Sequence, residues 1–178
     1  MPPVIAALTG AITATNRAAF YLAISLIYLI VPVMLIDVVM RYAFNAPTVW
    51  GMESATLLFG PYFLLAGPHV LHQKGHVAMD LLRQRLSLRG ERLLALINMP
   101  IIIAFCGILL WYSVPAAIDS FNYGETSFSA WNPPIWWTKA AVPIALLLML
   151  LQALAEFLRV LFRDPGALTR TDDAEVAL

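Results

Sequence analysis

WGMESATLLFGPYFLLAGPHVLHQKGHVAMD, residues 50–80, reads as one membrane-length apolar run held between two sets of polar landmarks. Trp50-Gly51-Met52-Glu53 opens it, and Lys74-Gly75-His76-Val77 with Asp80 closes it. The stretch Ser54 to Val70 carries no Asp, Glu, Lys or Arg, and it reaches the length of a membrane helix once Trp50 and the residues up to His72 are included. No strand alternation interrupts it, and in lipid only helices or closed barrels satisfy their backbone polar groups. The run therefore predicts a transmembrane helix with a placed carboxylate at one end and a compact polar turn at the other.

Composition gives the solvent for the rest of the chain. It is 61% hydrophobic and 12% charged over 178 residues, with a mean hydropathy of +0.78, whereas a soluble domain carries roughly 25% charged residues. Three more apolar runs follow the same pattern. Ala18 to Ile36 is uncharged over 19 residues, enough to cross about 28 Å at the helical rise. Leu93 to Val114 is equally clean, and the last run begins at Ala140 and continues through Glu156 and Arg159. The expected fold is an all-α integral membrane protein of four transmembrane helices, at about 18–39, 50–72, 93–114 and 138–161. A leader at 1–16 and a polar tail at 164–178 flank the membrane domain 17–163. Such a chain has no room for a separate soluble catalytic domain.

No Lys or Arg precedes Arg17, so the first run reads as a retained anchor and not a cleaved signal peptide. Lys74, Arg83, Arg85, Arg89 and Arg92 lie between the second and third spans, and Arg159, Arg163 and Arg170 lie at the end. The positive-inside rule puts both regions in the cytoplasm, giving an N-in, C-in chain. Residues 76–89 mix a polar arc with leucines, which suits a short amphipathic surface helix on the cytoplasmic side. The opposite loop, Tyr112 to Thr138, gathers Phe121, Tyr123, Phe128, Trp131, Trp136 and Trp137 around Pro133-Pro134. That loop fits an aromatic belt at the membrane interface, with a partner-docking surface as the alternative.

Charges at membrane depth are costly and need partners. Asp37 and Arg41 are spaced for an i,i+4 ion pair at the end of the first span. Glu53 is expected to join Arg41 across the short connection and pin the first two helices. Glu156 has a similar local partner in Arg159. In the second span Gly60-Pro61 and Gly67-Pro68 repeat seven residues apart, one heptad after Glu53. Glycines on one face permit close helix approach, so Gly60 and Gly67 mark a packing seam, either within the bundle or against another subunit.

Nothing in this inventory assembles an enzyme. His69, His72 and His76 come from one short stretch, whereas bis-imidazole haem ligation needs two segments. No phosphate-binding loop, nucleophile elbow or His-Glu-x-x-His pair is present. No catalytic, cofactor-binding or metal residue is expected. Cys106 has no second cysteine to pair with, and a formal net charge of zero offers no general attraction to nucleic acid.

Taken in order, Arg41-Tyr42-x-Phe44, Trp50-x-x-Glu53, Lys74-Gly75-His76-Val77 with Asp80, and Pro134-x-Trp136 before Pro143 resemble one family. It is the small membrane subunit, DctQ type, of tripartite ATP-independent periplasmic (TRAP) transporters, and the resemblance spans roughly residues 17 to 162. It implies a non-enzymatic scaffold in a bacterial inner membrane. The implied partners are a large multi-span permease subunit that carries substrate and coupling ion, and a periplasmic solute-binding protein that delivers an organic acid. Carried onto this chain, Trp50, Glu53, Gly75, His76 and Asp80 become structural or interface positions and not transport ligands. A self-contained small scaffold or channel, and a membrane-bound redox subunit, stand as the alternatives.

Overall fold

The structure is a computed structural model that describes residues 3–73 and 88–162. Within these, four helices are long and apolar enough to cross a membrane. They are α1 (Pro3–Ala43), α2 (Gly51–His72), α3 (Leu88–Asn122) and α4 (Trp136–Leu161). Gly75, His76, Asp80 and positions 76–87 of the expected surface helix lie outside the described residues, as does the tail from residue 163, and the last two positions of that expected helix, Leu88 and Arg89, open α3.

Two helices are longer than their apolar runs predict. α1 has 41 residues, roughly 60 Å at the helical rise, and it begins within the segment expected as a leader. The expected boundary between residues 16 and 17 falls inside one continuous helix. α3 runs eight residues past Val114, through Pro115. All four helices contain proline. Each proline forfeits one intrahelical hydrogen bond, which neighbouring helices make tolerable in a membrane protein.

α1 buries Thr9, Asn16, Ala23, Ile30 and Asp37, one residue every seven. A heptad repeat keeps one seam of a helix against its neighbours through a left-handed supercoil. That seam is polar at its two ends, at Thr9, Asn16 and Asp37, and apolar between them, at Ala23 and Ile30, while its outward faces carry exposed Leu22, Tyr28, Leu29 and Leu35. In lipid this inversion is stable, because the apolar side chains lose nothing outside while the polar ones find partners inside.

α4 is the central helix. It packs against α3, α2 and α1, and α2 also packs against α1. Its buried surface includes Ala141, Ala145, Ala153 and Ala155, small residues that let helix backbones approach on more than one side. α2 and α4 are accordingly the better-covered pair, and α1 and α3 expose more of their length.

Candidate functional site

Polar side chains join the helices at both ends of the bundle. At one end the C-terminal turns of α1 meet the start of α2. Asp37 is buried there, and its Oδ2 accepts from Arg41 Nη2 at 2.9 Å. Its Oδ1 accepts from the Thr48 backbone N–H at 3.2 Å and from the Thr48 hydroxyl. Thr48 Oγ1 in turn accepts the Gly51 N–H at 3.2 Å, satisfying one of the free donors at the α2 N-terminus. A carboxylate held beside a helix N-terminus also gains from the helix dipole.

Gly51 makes this latch possible. A Cβ at that position would lie 2.5 Å from Thr48 Oγ1 and 2.7 Å from Asp37 Cβ, closer than real atoms pack. The connection itself turns through Asn45 at a φ of 49°, a conformation that asparagine tolerates better than most residues.

The Asp37–Arg41 pair is thus one part of a larger constellation, and Glu53 is not in it. Glu53 Oε2 accepts from Ser129 Oγ at 2.6 Å, in the connection between α3 and α4, which replaces the expected pairing with Arg41. The helical period accounts for the difference. Glu53 follows Gly51 by two residues, about 200° around the helix, so with Gly51 against α1 its side chain points toward the other side. Trp50, half-buried, contributes its carbonyl to Ser54 N and Oγ at 2.8 and 2.7 Å.

Gly60 and Gly67 continue the Glu53 face. A Cβ on Gly60 would lie 3.3 Å from Thr138 Cγ2, and one on Gly67 would lie 3.8 Å from Met149 Sδ. Both neighbours belong to α4, so the seam faces a helix of the same chain.

The opposite end holds a three-helix polar junction. Glu156 of α4 is buried, and its Oε1 takes three contacts: His72 Nδ1 at 2.6 Å, Gln152 Nε2 at 2.9 Å and Arg159 Nη1 at 3.0 Å. Gln152 Oε1 accepts from Asn16 Nδ2 of α1 at 2.7 Å. Arg159 Nη2 reaches Thr13 Oγ1 at 3.1 Å. The direction of this chain follows from Glu156, since an ionised carboxylate only accepts. Gln152 must therefore present its NH2 to Glu156 and its oxygen to Asn16, and Asn16 must answer with its own NH2.

The local Glu156–Arg159 pair read from the sequence is present, but Asn16, His72 and Gln152 are functional candidates that sequence reasoning missed. Gln152 and Glu156 share a face at i,i+4, which was a usable signal for an inward polar stripe. Asn16 offered none, because its partner lies 136 residues away. His72 donates to the carboxylate, and His69 packs on Phe20 with ring centroids 4.3 Å apart. Among the described residues no three His, Cys, Asp or Glu side chains come together as a metal set.

The aromatic connection between α3 and α4 is folded back on itself. Ser127 N donates to Pro133 O at 3.1 Å and Ile135 N to Glu125 O at 3.0 Å, around an isolated bridge between Thr126 and Pro134. Lys139 Nζ donates to Glu125 Oε2 at 2.5 Å, and this contact holds the Glu125 carboxyl below its ordinary range. Phe121 and Trp136 meet edge to face at 5.3 Å, clasping the ends of α3 and α4, while Tyr123 and Phe128 stay exposed.

Residues 29–163 match the family model of the tripartite ATP-independent periplasmic transporters, DctQ component. The chain belongs to the DctQ family. It is therefore a small membrane component of a TRAP transporter, a multi-pass membrane protein and a transporter component. Compared with individual curated proteins, the chain has no significant match. The DctQ match takes in the whole Asp37–Thr48–Gly51 latch and the α2 and α4 sides of the polar junction. Thr9, Thr13 and Asn16, the α1 contribution to that junction, precede it.

Proposed function

We propose that this DctQ chain is a static brace for the large permease subunit of its transporter. In this reading the permease drives uptake of an organic acid on an ion gradient, and a periplasmic binding protein delivers the substrate. One observation carries the reading. Among the described residues, the carboxylates buried between helices are Asp37 and Glu156, and each is bonded to groups of this same chain, one at each end of the bundle. Groups spent on fastening helices are not free to pass an ion or proton along, which favours the brace over a small channel. The charge distribution of the sequence supports an inner-membrane protein with the Glu156 junction on the cytoplasmic side and the Asp37 latch on the periplasmic side.

Affinity purification of this chain from its native membrane is expected to bring down a much larger multi-span protein, and deletion of the chain is expected to abolish solute uptake. Uptake that survives the deletion, with the large subunit still present, overturns the reading. Glu53→Ala tests the outer face. It removes one partly exposed, charge-assisted hydrogen bond, worth about 1.5–3 kcal/mol at most, so a few-fold drop in complex yield or uptake is expected. Unchanged yield and unchanged uptake would reduce Glu53 to an ordinary interfacial carboxylate.

A further inference from the structure

The polar junction leaves two buried polar atoms unmatched. Among the described residues, Asn16 Oδ1 and His69 Nδ1 have no hydrogen-bond partner. Asn16 is 0% exposed and His69 is 8% exposed. Buried polar atoms in native structures are nearly always satisfied, by protein or by ordered water.

Both atoms belong to side chains of the same α1–α2–α4 junction. Asn16 bonds Gln152, Gln152 bonds Glu156, and Glu156 bonds His72. The His72 ring lies 6.5 Å from the His69 ring, His69 lies on Phe20, and Phe20 is one helical turn from Asn16 on the same face of α1. The hydrogen-bond direction set by Glu156 forces the Asn16 oxygen to be the unmatched end, so exchanging the two ends of that amide does not relieve it.

We infer that the α1–α2–α4 junction is a binding site for an ordered water molecule that donates to Asn16 Oδ1 and bonds His69 Nδ1. Water fits where a cation does not. The Glu156 charge is already met by Arg159 Nη1 at 3.0 Å, so no net negative charge remains to hold a second cation. Asn16 Oδ1 needs a donor, and water supplies one while either donating to or accepting from the imidazole, whichever tautomer is present. The bound water makes α1 and α2 partners through a polar bridge beside the direct Asn16–Gln152 bond.

The sign of one substitution tests the site. His69→Phe, in the full chain purified with its partner subunit, keeps a ring against Phe20 and removes Nδ1. A bridged junction loses a hydrogen bond and strands the water, so the Tm is expected to fall by about 2–4 °C. An unbridged junction loses only an unsatisfied atom, and the Tm would hold or rise, which overturns the inference. A double-mutant cycle makes the test specific: in an Asn16→Leu background, His69→Phe is expected to lose most of its effect. Full additivity, or the lack of a density peak within hydrogen-bond distance of both atoms in a structure that resolves ordered water, overturns the inference as well. None of these readouts depends on transport, so failure here leaves the bracing role standing.

Discussion

Glu156→Ala is expected to be the most damaging single substitution in the chain. Glu156 Oε1 is the common acceptor for His72, Gln152 and Arg159. Truncating it leaves the Arg159 guanidinium, whose side chain is 17% exposed, without its counter-charge. Breaking a buried pair by removing one partner costs about 3–5 kcal/mol, much more than the pair itself contributes over an apolar replacement. We expect little or no monodisperse protein on gel filtration and loss of the assembled transporter. Glu156→Gln preserves the shape and an acceptor oxygen while losing the charge, and it should fall between wild type and alanine. Pairing Glu156→Ala with Arg159→Ala is expected to recover part of the loss, because the second change removes the orphaned charge. If Glu156→Ala instead purifies and melts like the wild type, the junction does not hold the bundle together.

Gly51→Ala is the second. In an open helical position alanine is more favourable than glycine by about 1 kcal/mol, so propensity alone predicts stabilisation. Packing opposes it and should win. The added methyl would meet Asp37 Cβ at 2.7 Å and Thr48 Oγ1 at 2.5 Å, and Asp37 Cβ is one bond from the α1 backbone and cannot swing aside. Relief requires α1 and α2 to separate, breaking the Thr48 bonds to Asp37 and to Gly51. Overpacking typically costs about 1–3 kcal/mol, and the severed bonds add to it. A clear drop in Tm is expected for Gly51→Ala. Gly10→Ala serves as the matched control: a Cβ there meets nothing within 4 Å, so its Tm should hold or rise. Equal tolerance of both changes would mean that the latch is looser than its distances indicate.

The two predictions differ in how visible their residues were. Gly51 sits within the Trp50–Glu53 landmark, but a glycine signals close approach only when its neighbour is known. Glu156 was visible as an expensive charge, and its local partner Arg159 was readable at i,i+3. His72 belonged to a histidine cluster whose only evident chemistry was ligation, and its true partner is 84 residues away. Asn16 precedes a run beyond Arg17 that already suffices to cross a membrane, so nothing in the sequence draws it into the bundle. Burial at every seventh residue of α1 was also hidden. In a membrane helix both faces are apolar, so hydrophobicity does not distinguish the inward seam from the lipid side.

Sequence alone determined that this is a four-span helical membrane protein, since a long apolar run without strand alternation satisfies its backbone in lipid only as a helix, and the order of its motifs carried the resemblance to the TRAP small subunit. It also determined the Asp37–Arg41 and Glu156–Arg159 pairs, because helical spacing brings such residues together whatever the rest of the chain does. Only the tertiary structure decided where the remaining polar groups go: Asp37 to Thr48, Glu53 to Ser129, Glu156 to His72, and Asn16 to Gln152. Those bonds join helices far apart in sequence, and their geometry depends on the rotation of each helix about its own axis. That rotation is set by small residues in contact, Gly51 against Asp37 and Gly60 against Thr138, and no local pattern encodes it.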